Sequence, residues 1–218
     1  MDNTANLVIT ISRELGSGGR TIGRKLAERL GVRYCDKLLI RALVERFKLT
    51  TGEIEKIKSQ KKNWMSDFLD KVAPIPRADL MIGPRPSFNG SQYPHYTTSE
   101  ELFRAESDIL HAIAEEGPCV IAGRSGFFVL KDIPDRIDIF IRAPREQRIQ
   151  RVMRRQELTR EEAAAVIDKV DAGRDNYVSH FSGASRYDAR NYDLVLNVDG
   201  LSEDDAVELI LDYINHRR

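Results

Sequence analysis

The stretch from Leu7 to Leu30, LVITISRELGSGGRTIGRKLAERL, constrains the fold more than any other part of the chain. It opens with a short apolar, β-branched run, Leu7-Val8-Ile9-Thr10-Ile11, the composition of a buried strand. A turn carrying Gly16, Gly18 and Gly19 follows. Ile22, Leu26, Ala27 and Leu30 then recur at helical spacing, with Arg24, Lys25, Glu28 and Arg29 on the other side. Strand, glycine turn and helix, in that order, form the context in which a phosphate-binding loop has meaning. Glycines let the backbone turn tightly and aim successive N–H groups inward, and a helix N-terminus adds about half a positive charge.

Against the pattern G-x-x-x-x-G-K-[ST] the match is partial. With Gly18 on the second glycine, Arg13 stands where the first glycine belongs and Gly19 where the lysine belongs, with Arg20-Thr21 following. Arg20 or Arg13 can supply the missing charge, in a planar, forked geometry. A glycine-rich turn with no ligand has the same appearance, so the rest of the chain has to decide.

At 218 residues the chain suffices for one sizeable core, or for one domain with an inserted lobe. Lys+Arg and Asp+Glu each number 34, so no net charge draws it to nucleic acid. The charge is locally uneven: Arg142, Arg145, Arg148, Arg151, Arg154 and Arg155 crowd one stretch, while Glu203-Asp204-Asp205 is acidic. The two cysteines, Cys35 and Cys119, sit far apart in apolar surroundings and are expected as buried free thiols. No Cys/His cluster has metal-ligand spacing. MDNTANLVIT lacks the character of a signal peptide, and no apolar run reaches membrane-spanning length, so a cytoplasmic protein without a membrane partner is expected.

Further along, Gly31 to Asp36 reads as a helix stop and a second strand, followed by helices over Lys37–Lys48 and from Thr50 to about Lys62. Pro74 to Tyr96 is rich in proline and aromatics and reads as a substrate-side segment. A helix is expected from Thr98 to about Glu116, then strands at Cys119–Ala122 and Arg136–Ile141. Helices from Pro144 to about Glu157 and from Thr159 to around Asp175 precede a last strand at Leu194–Val198 and a last helix at Ser202–Ile214. Apolar strands alternating with amphipathic helices predict an α/β fold, a parallel sheet covered on both faces. Ligands of such sheets sit at the carboxyl ends of the strands. The glycine turn, Asp36-Lys37 and Gly123-Arg124 all fall there.

Arg124, inside Gly-Arg-Ser-Gly directly after a buried strand, is placed to grip a phosphate or carboxylate in a bidentate way. Arg148, Arg151 and Arg154 share a helix face. They are either a solvated face paired with Glu146 and Glu157, or a lid that folds arginines over a transferring phosphoryl group. Asp171 and Arg174 are one helical turn apart, as a surface ion pair or as a pair that meets a nucleotide. The four histidines share no spacing with an acid or nucleophile, and no G-x-S-x-G elbow is present, so triad chemistry is unsupported.

Together these stretches resemble the nucleoside monophosphate kinases, and most closely the cytidylate kinase-like family. Ile9-Thr10-Ile11 with GSGGRTIGRKLAERLG resembles the first strand, P-loop and helix; VIAGRSGFFVL, the strand and G-R-D segment; IDIFIRAPREQRIQRVMRRQ, the strand and lid helix. Asp171 and Arg174 fit the D-x-x-R pair after the lid, and YDLVLN the final strand. Gly19 replaces the P-loop lysine, Ser12 an aspartate after the first strand, and Ser125 the aspartate of G-R-D.

The resemblance implies a single P-loop kinase-like domain over 1–218, a three-layer sandwich with a helical lid at about 144–175 and a substrate-side insertion at about 58–99. It implies transfer of the γ-phosphoryl group of ATP, with Mg2+, to a small nucleotide such as CMP or dCMP. Gly16, Ser17, Gly18, Gly19, Arg20 and Thr21 are expected around the phosphates, with the Thr21 hydroxyl toward magnesium. Arg20, Arg148 and Arg151 are expected to act on the transferring group, and Asp36, Lys37, Arg124, Asp171 and Arg174 to hold the acceptor. A nucleotide-binding protein without turnover, or a kinase of another small metabolite, are the alternatives on the same fold.

Overall fold

The computed structural model describes residues 7–36 and 99–217. The chain divides into two compact units, 1–35 with 118–218, and 36–117. The helices expected at Lys37–Lys48 and Thr50–Lys62, the Pro74–Tyr96 segment and Lys37 itself lie outside the described residues.

The first unit is built on a five-stranded sheet of β1 (Val8–Arg13), β2 (Arg33–Asp36), β3 (Cys119–Ala122), β4 (Ile137–Arg142) and β5 (Leu194–Asn197), in the order β2-β3-β1-β4-β5. β1 runs parallel to both β3 and β4, and β4 parallel to β5. Because side chains alternate between faces, Leu7, Ile9, Ile11, Ile137, Ile139 and Ile141 share one face. There they meet Ile22 and Leu26 of α1 (Gly19–Leu30) and Ala206, Val207, Ile210 and Ile214 of α6 (Glu203–Arg217) in one buried cluster. Thr10, Asp138 and Phe140 point to the opposite face, where the short α3 (Gly126–Val129) packs so closely that Gly126 lies against the Thr10 side chain. Burial on both faces explains why the strands read as continuous apolar runs.

α1 ends where Gly31, with φ of 67°, turns its N–H back to the carbonyls of Ala27 and Glu28. α4 (Arg145–Gln156) and α5 (Arg160–Ser182) form a hairpin, and α5 starts at a capping box between Thr159 and Glu162. The sequence predicts the end of α5 near Asp175. The helix instead continues for two more turns, because nothing between Asp175 and Ser182 breaks it and Gly183, with φ of 68°, is the first residue that does. Ile149, Val152, Ala163 and Ile167 make a second, smaller core inside the hairpin, and Leu15 from the turn after β1 packs against it. Both cysteines are buried free thiols, and burial pushes the Cys119 thiol up to about 12.

In the second unit α2 (Ser99–Glu115) buries Ala105, Ile109, Leu110 and Ile113. Among the described residues no helix is long and apolar enough to cross a membrane.

Candidate functional site

The carboxyl ends of β1, β3 and β4 open onto one region. Its floor is the turn from Arg13 to Gly19. Gly16 and Gly18 have φ of 85° and 83°, a conformation that residues with a Cβ rarely adopt. The Ser17 hydroxyl donates to the Glu14 carbonyl at 2.9 Å and closes the turn on itself. The N–H groups of Gly16 and Gly18 find no acceptor among the described residues, which leaves two donors at the mouth of α1 for an anion.

Arginines from the hairpin are fastened to this turn. Arg148 Nη1 donates to the Leu15 carbonyl at 3.3 Å and to Asp171 at 2.6 Å, and its Nε lies 3.7 Å from Glu14. Arg151 Nη1 donates to the Gly16 carbonyl at 3.2 Å. Arg155 Nη2 donates to the Thr21 hydroxyl at 3.4 Å. Arg154, on the same face by sequence, is exposed, and its Nε donates to the Gln150 carbonyl of its own helix. So the arginine series splits: Arg148 and Arg151 meet the turn, and Arg154 does not.

Asp171 is the hub of the layer. It is buried, accepts the Leu15 N–H at 3.0 Å, and takes Nη1 of both Arg148 and Arg174, the latter at 3.0 Å. Arg174 also donates to the Arg13 carbonyl at 3.0 Å. The D-x-x-R pair is therefore a clamp on the glycine turn, far from a surface ion pair. Burial, and next the Arg13 guanidinium, pull Arg174 down to about 10.

Arg186 completes the layer, and sequence reasoning missed it. Its Nη2 donates to the same Arg13 carbonyl at 2.6 Å, its Nη1 lies 3.7 Å from Asp171, and its plane stacks near the rings of Phe140 and Tyr187. It sits in the loop after α5, outside any motif, and only the aromatic pair Tyr187 and Tyr192 nearby marks that loop as packed. Tyr192 donates to the Arg186 carbonyl at 2.7 Å and is hydrogen-bonded to Ser12, while burial holds its phenol up at about 12.

At the end of β3, Arg124 and Ser125 have φ of 56° and 54°, a strained conformation for residues with side chains and one that clusters at functional sites. The Arg124 guanidinium lies 5.7 Å from the ring centre of Tyr177 on α5. The buried Ser125 hydroxyl has no hydrogen-bond partner among the described residues, an orphaned polar group at the rim of the site.

Of the residues singled out from the sequence, Gly16, Ser17, Gly18, Gly19, Arg20, Thr21, Arg148, Arg151, Asp171 and Arg174 belong to the turn or its clamp, and Arg124 stands at the neighbouring strand end. Arg20 lies in the first turn of α1, and its carbonyl accepts the Tyr34 hydroxyl at 3.2 Å. Asp36 is the last residue of β2 and belongs to the second unit.

The residue profile of the cytidylate kinase-like family matches residues 8–200. The chain belongs to that family. Among its relatives, the cytidylate kinase of Methanopyrus kandleri is 26% identical, with 94% of this chain and 91% of that protein aligned. The cytidylate kinase of Sulfurisphaera tokodaii is 24% identical over 96% of each chain. Among solved structures, an uncharacterized protein from Eubacterium ventriosum superposes with a TM-score of 0.65 at 22% identity, covering 96% of this chain and 98% of its own. Shikimate kinase from Bacteroides thetaiotaomicron gives 0.52 at 14% identity, with the same coverages. These likenesses show the fold, an α/β kinase fold with a parallel sheet flanked by helices. Membership of the cytidylate kinase-like family makes a nucleotide kinase the class to which the site has to be fitted.

Proposed function

We propose that the chain transfers the γ-phosphoryl group of ATP to a small acceptor, with CMP or dCMP the first candidates. The observation that carries the reading is the convergence of an anion-ready glycine turn, the Arg124 turn and the arginine layer around Asp171 at one end of the sheet. Phosphoryl transfer asks little covalent chemistry of a protein and much positive charge in fixed places. In this reading an acceptor phosphate oxygen attacks the γ-phosphorus, the bond to the β–γ bridging oxygen breaks, and ADP leaves.

Gly16 to Thr21 cradle the donor phosphates, and Arg20 lies beside them in the first turn of α1. Arg148 and Arg151 steady the turn from the hairpin side and add charge over the transferring group. Arg124 and Arg174 hold the acceptor, with Asp171 fixing Arg174; Asp36 and Lys37 stand as acceptor candidates on the sequence resemblance alone. No cluster of three His, Cys, Asp or Glu suited to a metal occurs among the described residues. That fits Mg2+ carried on the nucleotide, since this ion keeps its waters and phosphate ligands and needs few protein groups; the Thr21 hydroxyl is the group this chain offers. When bound, Mg2+ neutralises phosphate charge.

The test is ADP release with ATP and Mg2+ against each nucleoside monophosphate, for the wild type and Arg124→Ala. Turnover with CMP or dCMP, reduced at least about 100-fold in the variant, is the expected result. No diphosphate from any acceptor excludes nucleoside monophosphate kinase activity. A second reading, nucleotide binding without turnover, is favoured by Gly19, Ser12 and Ser125 standing where the family pattern has a lysine and two aspartates. It predicts calorimetric ATP binding with no ADP release.

A further inference from the structure

Resting on the reading of the turn as a nucleotide site, we infer that Arg13 is its phosphate-binding cation and that positions 13 and 19 have exchanged roles. In the pattern G-x-x-x-x-G-K-[ST] the first glycine falls on Arg13 and the lysine on Gly19. The structure shows why both changes go together. A Cβ built on Gly19 falls 2.7 Å from Arg13 Cβ and 3.1 Å from its Cγ. The Arg13 side chain therefore passes through the space in which a lysine at 19 would begin. Its far end lies against Gly123: a Cβ there would overlap Arg13 Nη1 and sit 3.3 Å from Cζ. Two glycines thus make room for one arginine along its length.

The side chain so placed runs from the floor of the glycine turn to the turn after β3, next to Arg124. That is the gap between the proposed donor and acceptor phosphates. Its main chain is pinned, because Arg174 and Arg186 both donate to the Arg13 carbonyl, at 3.0 and 2.6 Å. A guanidinium pinned at its base engages phosphate oxygens through two parallel N–H groups, which a lysine ammonium does not. The ligand class is the β,γ-diphosphate of a nucleoside triphosphate, and the transferred phosphoryl group between the two turns.

Four variants test this: Arg13→Met, which keeps the apolar stem beside Gly19; Arg13→Gly; Gly19→Lys; and the double exchange Arg13→Gly with Gly19→Lys. ATP affinity is measured by calorimetry and ADP release by coupled assay, with melting curves to show that each protein is folded. Arg13→Met and Arg13→Gly should lose at least about 100-fold in phosphoryl transfer and about 10-fold or more in ATP affinity. Gly19→Lys alone should be as poor, because Arg13 blocks its side chain. The double exchange should recover most of the loss. Wild-type turnover and ATP affinity in a folded Arg13→Met, or a folded double variant no better than Arg13→Gly, overturns the inference while leaving the kinase reading intact. ATP binding that depends on position 13 without turnover on any acceptor sinks the kinase reading and leaves the inference standing. A wild type that binds no ATP overturns both.

Discussion

Two buried carboxylates anchor arginines on this sheet, and they are balanced differently. Asp138, near the start of β4, receives Arg136 through Nε and Nη2, at 2.8 and 2.6 Å to one oxygen, and the Thr10 hydroxyl. Its own N–H donates to Asp193 at 2.7 Å, and Arg217 pairs with Asp193 at 2.8 Å. Two guanidinium groups there face two carboxylates. Around Asp171 the guanidinium groups of Arg148, Arg174 and Arg186 converge on one carboxylate, with Glu14 beside Arg148. The first set closes its own charge and holds strands together. The second gathers three guanidinium groups on one carboxylate where the strands end and the helix N-terminus points, an arrangement suited to an anion. The depressed Arg174 carries the same message: its charge is disfavoured by burial and by Arg13, and an added phosphate would relieve the second cause.

The sharpest way to break this comparison is to remove each carboxylate. Asp171→Ala leaves three guanidinium groups without their shared partner and the Leu15 N–H without its acceptor, and should cost about 3–5 kcal/mol of folding stability. Denaturant unfolding in phosphate-free buffer measures it. Inorganic phosphate should return part of that loss, and should stabilise the wild type as well, by about 2.7 kcal/mol at a hundred times its dissociation constant. Sodium chloride at equal ionic strength should do neither. If phosphate and chloride act alike on the wild type, the Asp171 layer is a structural hub and the contrast with Asp138 disappears.

Asp138→Asn should cost less, about 1–3 kcal/mol, because the amide keeps one oxygen for Arg136 while the other bonds are weakened. Its stability should be indifferent to phosphate beyond the response of the wild type. A phosphate-dependent rescue of this variant would mean that the two carboxylates do the same work.

The same contrast explains what could be read from the sequence. The strands, α1 and both faces of the sheet were legible, because apolar alternation and glycine stops are local signals. The glycine turn and Arg124 were legible as elements at the ends of parallel strands, where ligands of such sheets bind. The path of the Arg13 side chain was not, because only the missing space at Gly19 and Gly123 shows it. Arg148 read equally well as a solvated residue, since the acid that buries it, Asp171, is on another helix. Arg186 had no motif at all: its partner is a backbone carbonyl 173 residues away, and long-range main-chain contacts leave no pattern in a sequence.

The smallest expected effect is the dependence on pH. Burial raises the Asp138 carboxyl above its ordinary 3.8, against the hydrogen bonds from Arg136 and Thr10 that lower it. The folded chain therefore binds this proton more tightly than the unfolded chain does. Stability from this group is fully present below 3.8 and is lost as pH rises through the folded value. Other carboxylates titrate in the same window, so the quantity to measure is the difference between wild type and Asp138→Asn, by denaturant unfolding at steps from pH 3.5 upward. That difference should shift against the wild type as pH rises and then level off. A difference moving the other way would mean that Arg136 outweighs burial at Asp138. What would separate the two sites is then the number of guanidinium groups that meet each carboxylate.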